Sequence, residues 1–524
     1  MSGSPFLGRT IQIVRDLSVD EQIYLYDQTR RLKEALRSGD PASIGRFRVD
    51  RPDLSVYLLF LEDSTRTKES FRNAAKFHQV KLNDFAAGAS SFSKKESLTD
   101  TIKMLVGYSE QSVFVLRTKT EGTCRWLEEA VGAYTQKAGL PPAAFINGGD
   151  GRHEHPTQEF LDEFSFLEQN GWDRSHIHLA LIGDLFHGRT VHSKVDGLQI
   201  FGEVEVDLVA PDEIAMPAHY VERMRRLGFQ VRTFESIEEY LADPRVAPVW
   251  YFTRLQLERM GDQLLDKAPR LRRAVTFRRE FLDRIDERTR FYHPLPRHQV
   301  TPTIPSFLDE TPLNGWERQS MNGYYTRIIE LAMVSGHLGS EFTGRARVRQ
   351  EYPDDFVHLV EASASRKPEY KVGIKPVTSG LVIDHIGRGS APEVIWDQID
   401  KIRRILRLNR VSSHGVYRST ASHDHKGIIS VPDLLELSDP EIKMLGASAP
   451  GSTLNVVRDG QVVRKYRMGM PPRVYSLPGI SCKNEECISH PSHHEPVSPE
   501  FLRAGENTYT CKYCEKPHIF GEIW

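Results

Sequence analysis

Residues 56–67, VYLLFLEDSTRT, join an apolar run directly to a turn that is rich in hydroxyl groups and contains one arginine. The run predicts a buried β-strand, because it consists only of aliphatic and aromatic residues. Residues 68–80, KESFRNAAKFHQV, follow with the periodicity of a helix. A strand, a tight turn and a helix in this order predict a parallel α/β fold. They also predict an anion-binding helix start at Ser64, Thr65, Arg66 and Thr67.

The same alternation continues through the first half of the chain. Apolar runs at residues 112–117, 144–147 and 178–184 predict further strands, and another helix is predicted to begin at residues 188–190. We therefore expect two consecutive parallel-sheet α/β domains, residues 1–150 and 151–321. A helix over residues 322–340 is expected to return the chain to the first of them.

The second half has a different pattern. Residues 341–369 mix charged and small residues, and we expect a linker with one helix there. Apolar runs at residues 380–386, 426–431 and 461–466, separated by helical stretches, predict an α+β domain over residues 370–472. Residues 473–524 form a small closing module.

The closing module contains four of the five cysteines, Cys482, Cys487, Cys511 and Cys514. Their C-x4-C and C-x2-C spacing predicts one structural zinc ion held by four thiolates. His490, His493 and His494 lie between the pairs and could compete as ligands, but four thiolates already complete a tetrahedral shell. The fifth cysteine, Cys124, is expected to face a core.

Composition excludes several classes of protein. The net charge is −2, with 39% hydrophobic and 27% charged residues, so bulk electrostatics do not predict a nucleic-acid partner. The cysteine module lacks the basic stripe of a nucleic-acid-binding ribbon. Neither a signal peptide nor an apolar run of about 18 residues is apparent, so we expect a cytoplasmic protein without a membrane partner.

Three further segments share the character of residues 64–67: HPTQ at 155–158, TRLQ at 253–256 and HPLPR at 293–297. Each concentrates groups that bind anions or polarise carbonyls, and each lies beside turn-forming glycine or proline. One such segment would usually be a solvated surface or an ion pair. Four of them predict a site for small anionic substrates, in which His155 and Gln158 could hold a carbonyl and an amide.

The order of STRT, a Ser/Lys loop, HPTQ, GRTVHS, TRxQ and HPLPR resembles the aspartate carbamoyltransferase family over residues 5–340. From about residue 370, VIDHI, VVxKxR and the cysteine spacing resemble the separate regulatory chain of that enzyme. The resemblance implies transfer of the carbamoyl group of carbamoyl phosphate to the amine of L-aspartate in pyrimidine biosynthesis. It implies a catalytic–regulatory fusion, no catalytic cofactor, and trimers with shared active sites.

The resemblance also implies roles for individual residues. Arg66, with Ser64, Thr65 and Thr67, would bind the phosphate, whereas Arg117 and His155 would polarise the carbonyl. Gln158 would hold the carbamoyl amide. Aspartate would be bound by Lys94, Arg189, Arg254, Gln256, Pro294 and Leu295.

The Ser/Lys loop departs from the family pattern K-K-G-E-S/T-L. Residues 90–98 read SSFSKKESL and lack the glycine. Counting back from Glu96 makes Lys94 the catalytic lysine, and counting forward from Ser91 makes it Lys95. We favour Lys94, with Ser90 as its serine, because Leu98 and the residues after it fit the pattern better.

A nucleotide site is implied in the second half. The matching residues are Asp384, His385, Lys426, Lys465 and Arg467, and the effectors would be ATP, CTP or UTP. Ser430 stands where the family has a second lysine, and the loss of one charge-assisted hydrogen bond of roughly 1.5–3 kcal/mol weakens the case for nucleotide control.

Two alternative functions remain open. An ornithine carbamoyltransferase would share the carbamoyl phosphate half of the site but commonly carries H-C-L-P, whereas residues 293–296 read HPLP. A non-catalytic nucleotide-sensing scaffold would have no physical reason to keep Arg66, Arg117, His155 and Arg254, because buried cations are costly.

Overall fold

A computed structural model describes residues 3–86, 97–256, 266–362, 377–408, 412–419, 422–432 and 434–524. Internal contacts divide the chain into two compact units. The first comprises Met1–Val348 with Glu486–Ile488 and His493–Glu495, and the second comprises Arg349–Glu485, Ser489–Ser492 and Pro496–Trp524. Among the described helices, none is long and apolar enough to cross a membrane.

The first unit contains two parallel sheets. One has four strands in the order β2-β1-β3-β4. Every residue of β1, β3 and β4 is buried, as expected for a parallel sheet that is covered on both faces. The elements of this part are β1 (Leu54–Phe60), β2 (Lys81–Ala86), β3 (Gln111–Thr118), β4 (Ala144–Asp150), α1 (Val19–Ser38), α2 (Pro41–Gly45), α3 (Thr65–Phe77), α4 (Leu98–Val106) and α5 (Thr123–Ala138).

The other parallel sheet has five strands in the order β7-β6-β5-β8-β9. Its strands are β5 (His176–Ile182), β6 (Glu203–Val209), β7 (Gln230–Phe234), β8 (Val249–Phe252) and β9 (Arg290–Tyr292). The helices of this part are α6 (Pro156–Gln169), α7 (Arg189–Gly197), α8 (Ala218–Arg226), α9 (Ile237–Tyr240), α10 (Ala268–Val275) and α11 (Trp316–Val334).

Both sheets reverse their strand order at one point. β2 and β3 lie on opposite sides of β1, and β6 and β8 lie on opposite sides of β5. In open parallel sheets, the loops at the carboxyl ends of such neighbouring strands diverge and leave a crevice that binds ligands. The four segments that the sequence predicts to bind anions follow β1, β4, β8 and β9, at the same edges of the sheets. The predicted α/β class is confirmed.

Helix α11 returns the chain from the second sheet to the first. It packs against α1, α3 and α6. The helix begins at Trp316, six residues before the expected start at 322, and it ends at Val334 rather than at 340. It ends there because Gly336 adopts a left-handed φ of 77°, a conformation that terminates helices and suits glycine.

The second unit contains an antiparallel sheet of six strands in the order β10-β15-β14-β11-β13-β12. Two helices pack on one face of this sheet, where their isoleucines and leucines form the core. The elements are β10 (Val357–Val360), β11 (Gly380–Ile386), β12 (Ser413–Arg418), β13 (His425–Pro432), β14 (Thr453–Arg458), β15 (Gln461–Met468), α12 (Pro392–Ile405) and α13 (Asp439–Ser448).

One expectation for this region is wrong within the described residues. Residues 341–369 were expected to hold a helix, but the described part of that segment contains strand β10, Val357–Val360. The strand forms because its backbone groups pair with β15, a partner that lies about a hundred residues further along the chain. The periodicity of the local sequence cannot indicate a partner strand so far along the chain.

The C-terminal module is a small antiparallel sheet in the order β16-β17-β18-β19. Its strands are β16 (Arg473–Tyr475), β17 (Glu500–Arg503), β18 (Thr508–Cys511) and β19 (Pro517–Ile519).

The core of the first unit contains buried ionisable side chains. Glu330 on α11 is fully buried, and burial raises its pKa to about 8, although the nearby Arg327 guanidinium opposes this shift. The carboxyl group is therefore largely protonated at neutral pH.

We expect the substitution Glu330→Gln to reduce the pH dependence of stability. The folded pKa of about 8 exceeds the ordinary value of 4.5, so the folded protein binds more protons than the unfolded chain between these values. The contribution of this group to the free energy of unfolding therefore falls as the pH rises from about 5 to 8. Glutamine does not titrate, so the variant lacks this decrease. Thermal unfolding at pH 5, 6.5 and 8 measures the effect.

The control is Glu317→Gln, which changes an exposed carboxylate on the same helix. It should leave the pH dependence as in the unmodified protein. If the unfolding temperature changes with pH equally in Glu330→Gln and in the unmodified protein, the prediction is contradicted.

Candidate active site

A polar cavity of about 760 Å³ lies in the first unit, at the carboxyl ends of strands from both parallel sheets. It brings together every predicted substrate-binding residue of the catalytic part that the structure describes: Ser64, Thr65, Arg66, Thr67, Arg117, His155, Gln158, Arg189, Arg254, Gln256, Pro294 and Leu295. Lys94, its alternative Lys95 and Ser90 lie outside the described residues.

A larger cavity of about 1070 Å³ lies elsewhere in this unit. It is lined by His176, Val249 and Arg290, the first residues of β5, β8 and β9, and it holds none of the predicted site residues. Ligands of open parallel sheets bind at the carboxyl ends of strands, so this cavity is not the candidate site.

The start of α3 forms one wall of the polar cavity. The helix begins at Thr65, and the hydroxyl of the preceding residue Ser64 makes no capping hydrogen bond to the helix backbone. The first turn of a helix carries backbone N–H groups without intrahelical partners and a partial positive charge. Together with Arg66, these groups form a surface suited to a phosphate.

Arg117 is the penultimate residue of β3 and lines the cavity. It is 9% exposed, and its Nη1 donates to the carbonyl oxygen of Gly148 at 2.9 Å. Its Nε lies 3.6 Å from Oε2 of Glu62. These contacts fix the plane of the guanidinium group, which can then direct its remaining donors at a substrate oxygen.

His155 immediately precedes α6 and is buried. Its Nε2 lies 3.4 Å from Oγ1 of Thr67, and its backbone N–H donates to Oγ of Ser193 at 3.1 Å. Burial, together with Arg117 and Arg189, holds the pKa of His155 well below its usual value. The imidazole is therefore neutral, and it can donate one hydrogen bond without bringing another charge into a cationic site.

Arg189 and Arg254 come from the second sheet. Arg189 begins α7, and its Nη1 donates to the carbonyl oxygen of Gly151 at 2.9 Å and lies 3.2 Å from Oε2 of Glu62. Arg254 follows β8 and is half-buried. Two guanidinium groups on separate loops can bind two separate carboxylates of one substrate.

The loops after β5 and β8 approach each other closely. Gly183 has a φ of 122°, and a Cβ atom there would lie 2.4 Å from the carbonyl oxygen of Thr253. Only glycine permits this approach. Gln256 links the same loops, because its Nε2 donates to the carbonyl oxygen of His187 at 3.0 Å and its N–H donates to Oδ2 of Asp184 at 3.2 Å.

Sequence reasoning did not identify Glu62 and Arg327 as residues of the cavity. Glu62 contacts both Arg117 and Arg189, and its position directly after β1 could have indicated it. Arg327 reaches the cavity from the middle of α11, and no motif marks it.

Another residue of the cavity, His293, lies in the predicted HPLPR segment, although the sequence assigned it no role of its own. Burial, with Arg297, Arg66 and Arg254, lowers its pKa to about 3. Its Nδ1 accepts from the N–H of Leu295 at 2.8 Å, and its buried Nε2 has no hydrogen-bond partner among the described residues. The neutral ring therefore carries its proton on Nε2 and offers a donor.

The predicted nucleotide-site residues lie in the second unit, on β11, β13 and β15. Nζ of Lys426 is 2.9 Å from Oδ1 of Asp384, and Nδ1 of His385 is 3.2 Å from Oγ1 of Thr453. In the strand register, Arg467 lies opposite Thr453. Two residues further along these strands, Ser430, Val382, Asn455 and Lys465 lie opposite one another on β13, β11, β14 and β15.

That row places Ser430 on the face of the sheet that the two helices leave uncovered. Neighbouring residues of the strands, Ile383 and Ile429, pack with the helices, whereas Val382 packs in a separate cluster. The row thus contains one lysine, Lys465, where the family pattern predicts two.

The four cysteines of the closing module form a cluster. All are buried, and their Sγ atoms lie within 4.8 Å of one another. The distance between Sγ of Cys482 and Sγ of Cys514 is 3.7 Å. Thiolates around a tetrahedral zinc ion, with Zn–S bonds of about 2.3 Å, lie roughly 3.8 Å apart, so the cluster fits zinc.

The intervening histidines do not belong to this cluster among the described residues. The sequence instead missed His518, whose Nε2 lies 3.5 Å from Sγ of Cys482. Residues that contact a metal-bound thiolate orient it and tune its charge.

We expect one zinc ion per chain. Metal analysis of the full-length protein should find about one equivalent, and Cys511→Ser should lower this content and the thermal unfolding temperature of the module, because structural zinc contributes directly to folding. Cys124→Ser, which changes the buried cysteine on α5, is the matched control and should keep the metal. Less than about half an equivalent in the unmodified protein, with its thiols oxidised, would contradict the zinc site.

Comparisons with known proteins match three regions of the chain to family models. Residues 9–168 match the family model "Aspartate/ornithine carbamoyltransferase, carbamoyl-P binding domain". Residues 372–469 match the allosteric domain of the aspartate carbamoyltransferase regulatory chain, and residues 472–524 match its metal-binding domain.

Full-length relatives and solved structures were also found. The chain is 52% identical to the protein PyrBI of Thermotoga maritima, with 99% of each chain covered. It is 51% identical to PyrBI of Treponema denticola, covering 99% of this chain and 98% of the relative. A crystal structure of Trypanosoma cruzi aspartate transcarbamoylase with carbamoyl phosphate and aspartate is similar at a TM-score of 0.54 and 27% identity, covering 64% of this chain and 99% of that one. The chain belongs to the aspartate carbamoyltransferase family, and it carries the catalytic and regulatory regions of that family in one polypeptide.

Proposed function

We propose that the polar cavity binds carbamoyl phosphate beside L-aspartate and forms N-carbamoyl-L-aspartate and phosphate, a reaction of pyrimidine biosynthesis. The observation that carries this proposal is the convergence of cationic and neutral hydrogen-bond donors from both parallel sheets on one cavity. The T. cruzi enzyme, whose structures contain carbamoyl phosphate, aspartate, or both, supports the choice of substrates.

The carbamoyl phosphate half of the reaction uses the first sheet. The phosphate binds at the start of α3 and to Arg66, and the carbonyl oxygen accepts hydrogen bonds from Arg117 and His155. When the amine attacks, a C–N bond forms and negative charge develops on the carbonyl oxygen, where these donors stabilise it. The C–O bond to phosphate then breaks, and the amine proton leaves with the phosphate.

The aspartate half uses the second sheet. Arg189 and Arg254 bind the two carboxylates, and the backbone around Pro294 and Leu295 lies beside the amine. Ornithine carries an ammonium group where aspartate has its side-chain carboxylate, so two guanidinium groups favour the dicarboxylate. Holding both substrates in one cavity supplies much of the rate by removing their translational freedom.

Lys94 completes the proposed site. The described residues that line the cavity include no lysine. The family resemblance assigns this lysine to a neighbouring subunit of a trimer, and we propose the same assembly here.

The domain boundaries belong to the same proposal. Residues 1–150, with the closing helix, form the carbamoyl phosphate domain, and residues 151–321 form the aspartate domain. The end of the first sheet at Asp150 supports this division. A connection over residues 341–369, an allosteric domain over 370–472 and a zinc domain over 473–524 follow, and the family matches beginning at residues 372 and 472 support them.

Substitution Arg254→Ala is expected to reduce kcat/KM for aspartate by about 10- to 100-fold, because a hydrogen bond to a charged group contributes roughly 1.5–3 kcal/mol. The assay is carbamoyl-aspartate formation, with ornithine as the alternative amine. Arg225→Ala, which changes an exposed arginine on α8, should leave the rate unchanged. Faster turnover of ornithine than of aspartate would contradict aspartate as the amine substrate.

A second proposal concerns the sheet face that carries Lys465 and Arg467. We infer that this face binds a nucleoside triphosphate, which then alters catalysis. The match to a regulatory-chain allosteric domain supports the proposal. Affinity is expected to be modest, because Ser430 supplies no charge and Lys426 is already paired with Asp384.

Lys465→Ala should weaken nucleotide binding about tenfold or more, because it removes the lysine from the row of Ser430, Val382 and Asn455. Equilibrium titration of the full chain with ATP, CTP and UTP measures the affinity. Lys443→Ala is the control, since Lys443 is exposed on α13, which packs on the opposite face. If none of the three nucleotides binds at millimolar concentration, the nucleotide site is contradicted, whereas the proposed carbamoyl transfer is unaffected.

A further inference from the structure

We propose that Asp162 is a positioning residue that sets the direction of the Gln158 amide and thereby makes the cavity selective for a carbamoyl group. The inference rests on the proposed function, because Gln158 is taken to contact the carbamoyl NH₂ group. Asp162 lies one helical turn after Gln158 on α6 and is fully buried.

The contact between these side chains determines the amide orientation. Nε2 of Gln158 donates to Oδ1 of Asp162 at 2.8 Å. A carboxylate only accepts hydrogen bonds, so the NH₂ end of the amide must face Asp162. Oε1 of Gln158 is then the end left for the cavity, where it can accept from the NH₂ group of a carbamoyl substrate.

Asp162 is itself held in place by two further donors. Nζ of Lys194 lies 3.0 Å from its Oδ2, and Nε2 of Gln319 donates to its Oδ1 at 2.6 Å. Although burial opposes the charge on Lys194, Asp162 and Glu159 raise the pKa of this lysine above its usual value. The ammonium group therefore stays charged and keeps the carboxylate fixed.

The same carboxylate connects the elements around the cavity. Lys194 lies on α7, the helix that begins at Arg189. Oε1 of Gln319 accepts from the N–H of His293 at 2.9 Å, directly before Pro294. Asp162 thus fixes Gln158 relative to the segments proposed to bind aspartate.

A reversed Gln158 amide would be doubly unfavourable. Its oxygen would face the Asp162 carboxylate, and its NH₂ group would face the NH₂ group of the substrate. Acetyl phosphate differs from carbamoyl phosphate by a methyl group in place of that NH₂ group, so its binding requires no acceptor at this position. The Asp162 contact therefore predicts selectivity between these two molecules rather than general affinity.

The test compares the full-length protein with its Asp162→Asn variant. Asparagine can present either an acceptor or a donor to Gln158, so the amide is free to reverse, while Lys194 keeps its partner Glu159 at 2.8 Å. We expect the KM for carbamoyl phosphate to rise about tenfold or more. The inhibition constants of acetyl phosphate and of inorganic phosphate should stay within about twofold of their original values.

Two controls separate positioning from a structural role. Glu163→Gln changes an equally buried carboxyl group on the next position of α6 and should preserve the preference for carbamoyl over acetyl phosphate. In a Gln158→Ala background, Asp162→Asn should cause no further loss of carbamoyl phosphate affinity, because the residue it acts through is gone.

The possible outcomes distinguish the positioning role of Asp162 from the proposed enzyme reaction. Equal weakening of carbamoyl phosphate, acetyl phosphate and phosphate by Asp162→Asn would overturn the positioning role while leaving the enzyme reaction in place. Additive losses in the Gln158→Ala background would overturn it as well. Lack of turnover of aspartate by the unmodified trimeric protein would instead overturn the proposed function itself.

Discussion

Parallel strands can be joined only by crossover segments that cover the faces of the sheet, and the first unit depends on this constraint. Each crossover brings the chain back to the amino end of the next strand, so all carboxyl ends lie along one edge. Because both sheets reverse their strand order, each opens a crevice at β1 and β3 or at β5 and β8. The candidate site occupies these crevices, and its residues come from loops that helices hold in place.

Such a site brings several cations close together, and burying them costs free energy unless they are paired or replaced by neutral donors. Glu62 lies close to both Arg117 and Arg189, and neutral His155 and His293 add donors without adding charge. Beneath them, the buried pair of Lys194 and Asp162 has both charges hydrogen-bonded. A buried ion pair is weak evidence for stability, but these hydrogen bonds hold Gln158 in a defined position beside the cavity.

The second unit uses a different solution. Its antiparallel sheet is covered by helices on one face, and the other face carries polar side chains in cross-strand rows. Strand pairing brings residues that are far apart in sequence, such as Ser430 and Lys465, into one row. The electrostatic character of that face is therefore a property of the register, and a single replacement by serine changes the whole row.

Local patterns and family motifs were enough to predict the fold class, the α/β segments around residues 56–67, the four cysteine ligands and most of the groups that converge on the cavity. Tertiary structure was needed to reveal strand β10, the earlier start of α11, and the place of Arg327 in the cavity. It also decided the contact of Asp162 with Gln158 and Gln319. Strand β10 pairs with β15 about a hundred residues further along the chain, and Gln319 contacts Asp162 from another helix, so no local periodicity encodes these contacts.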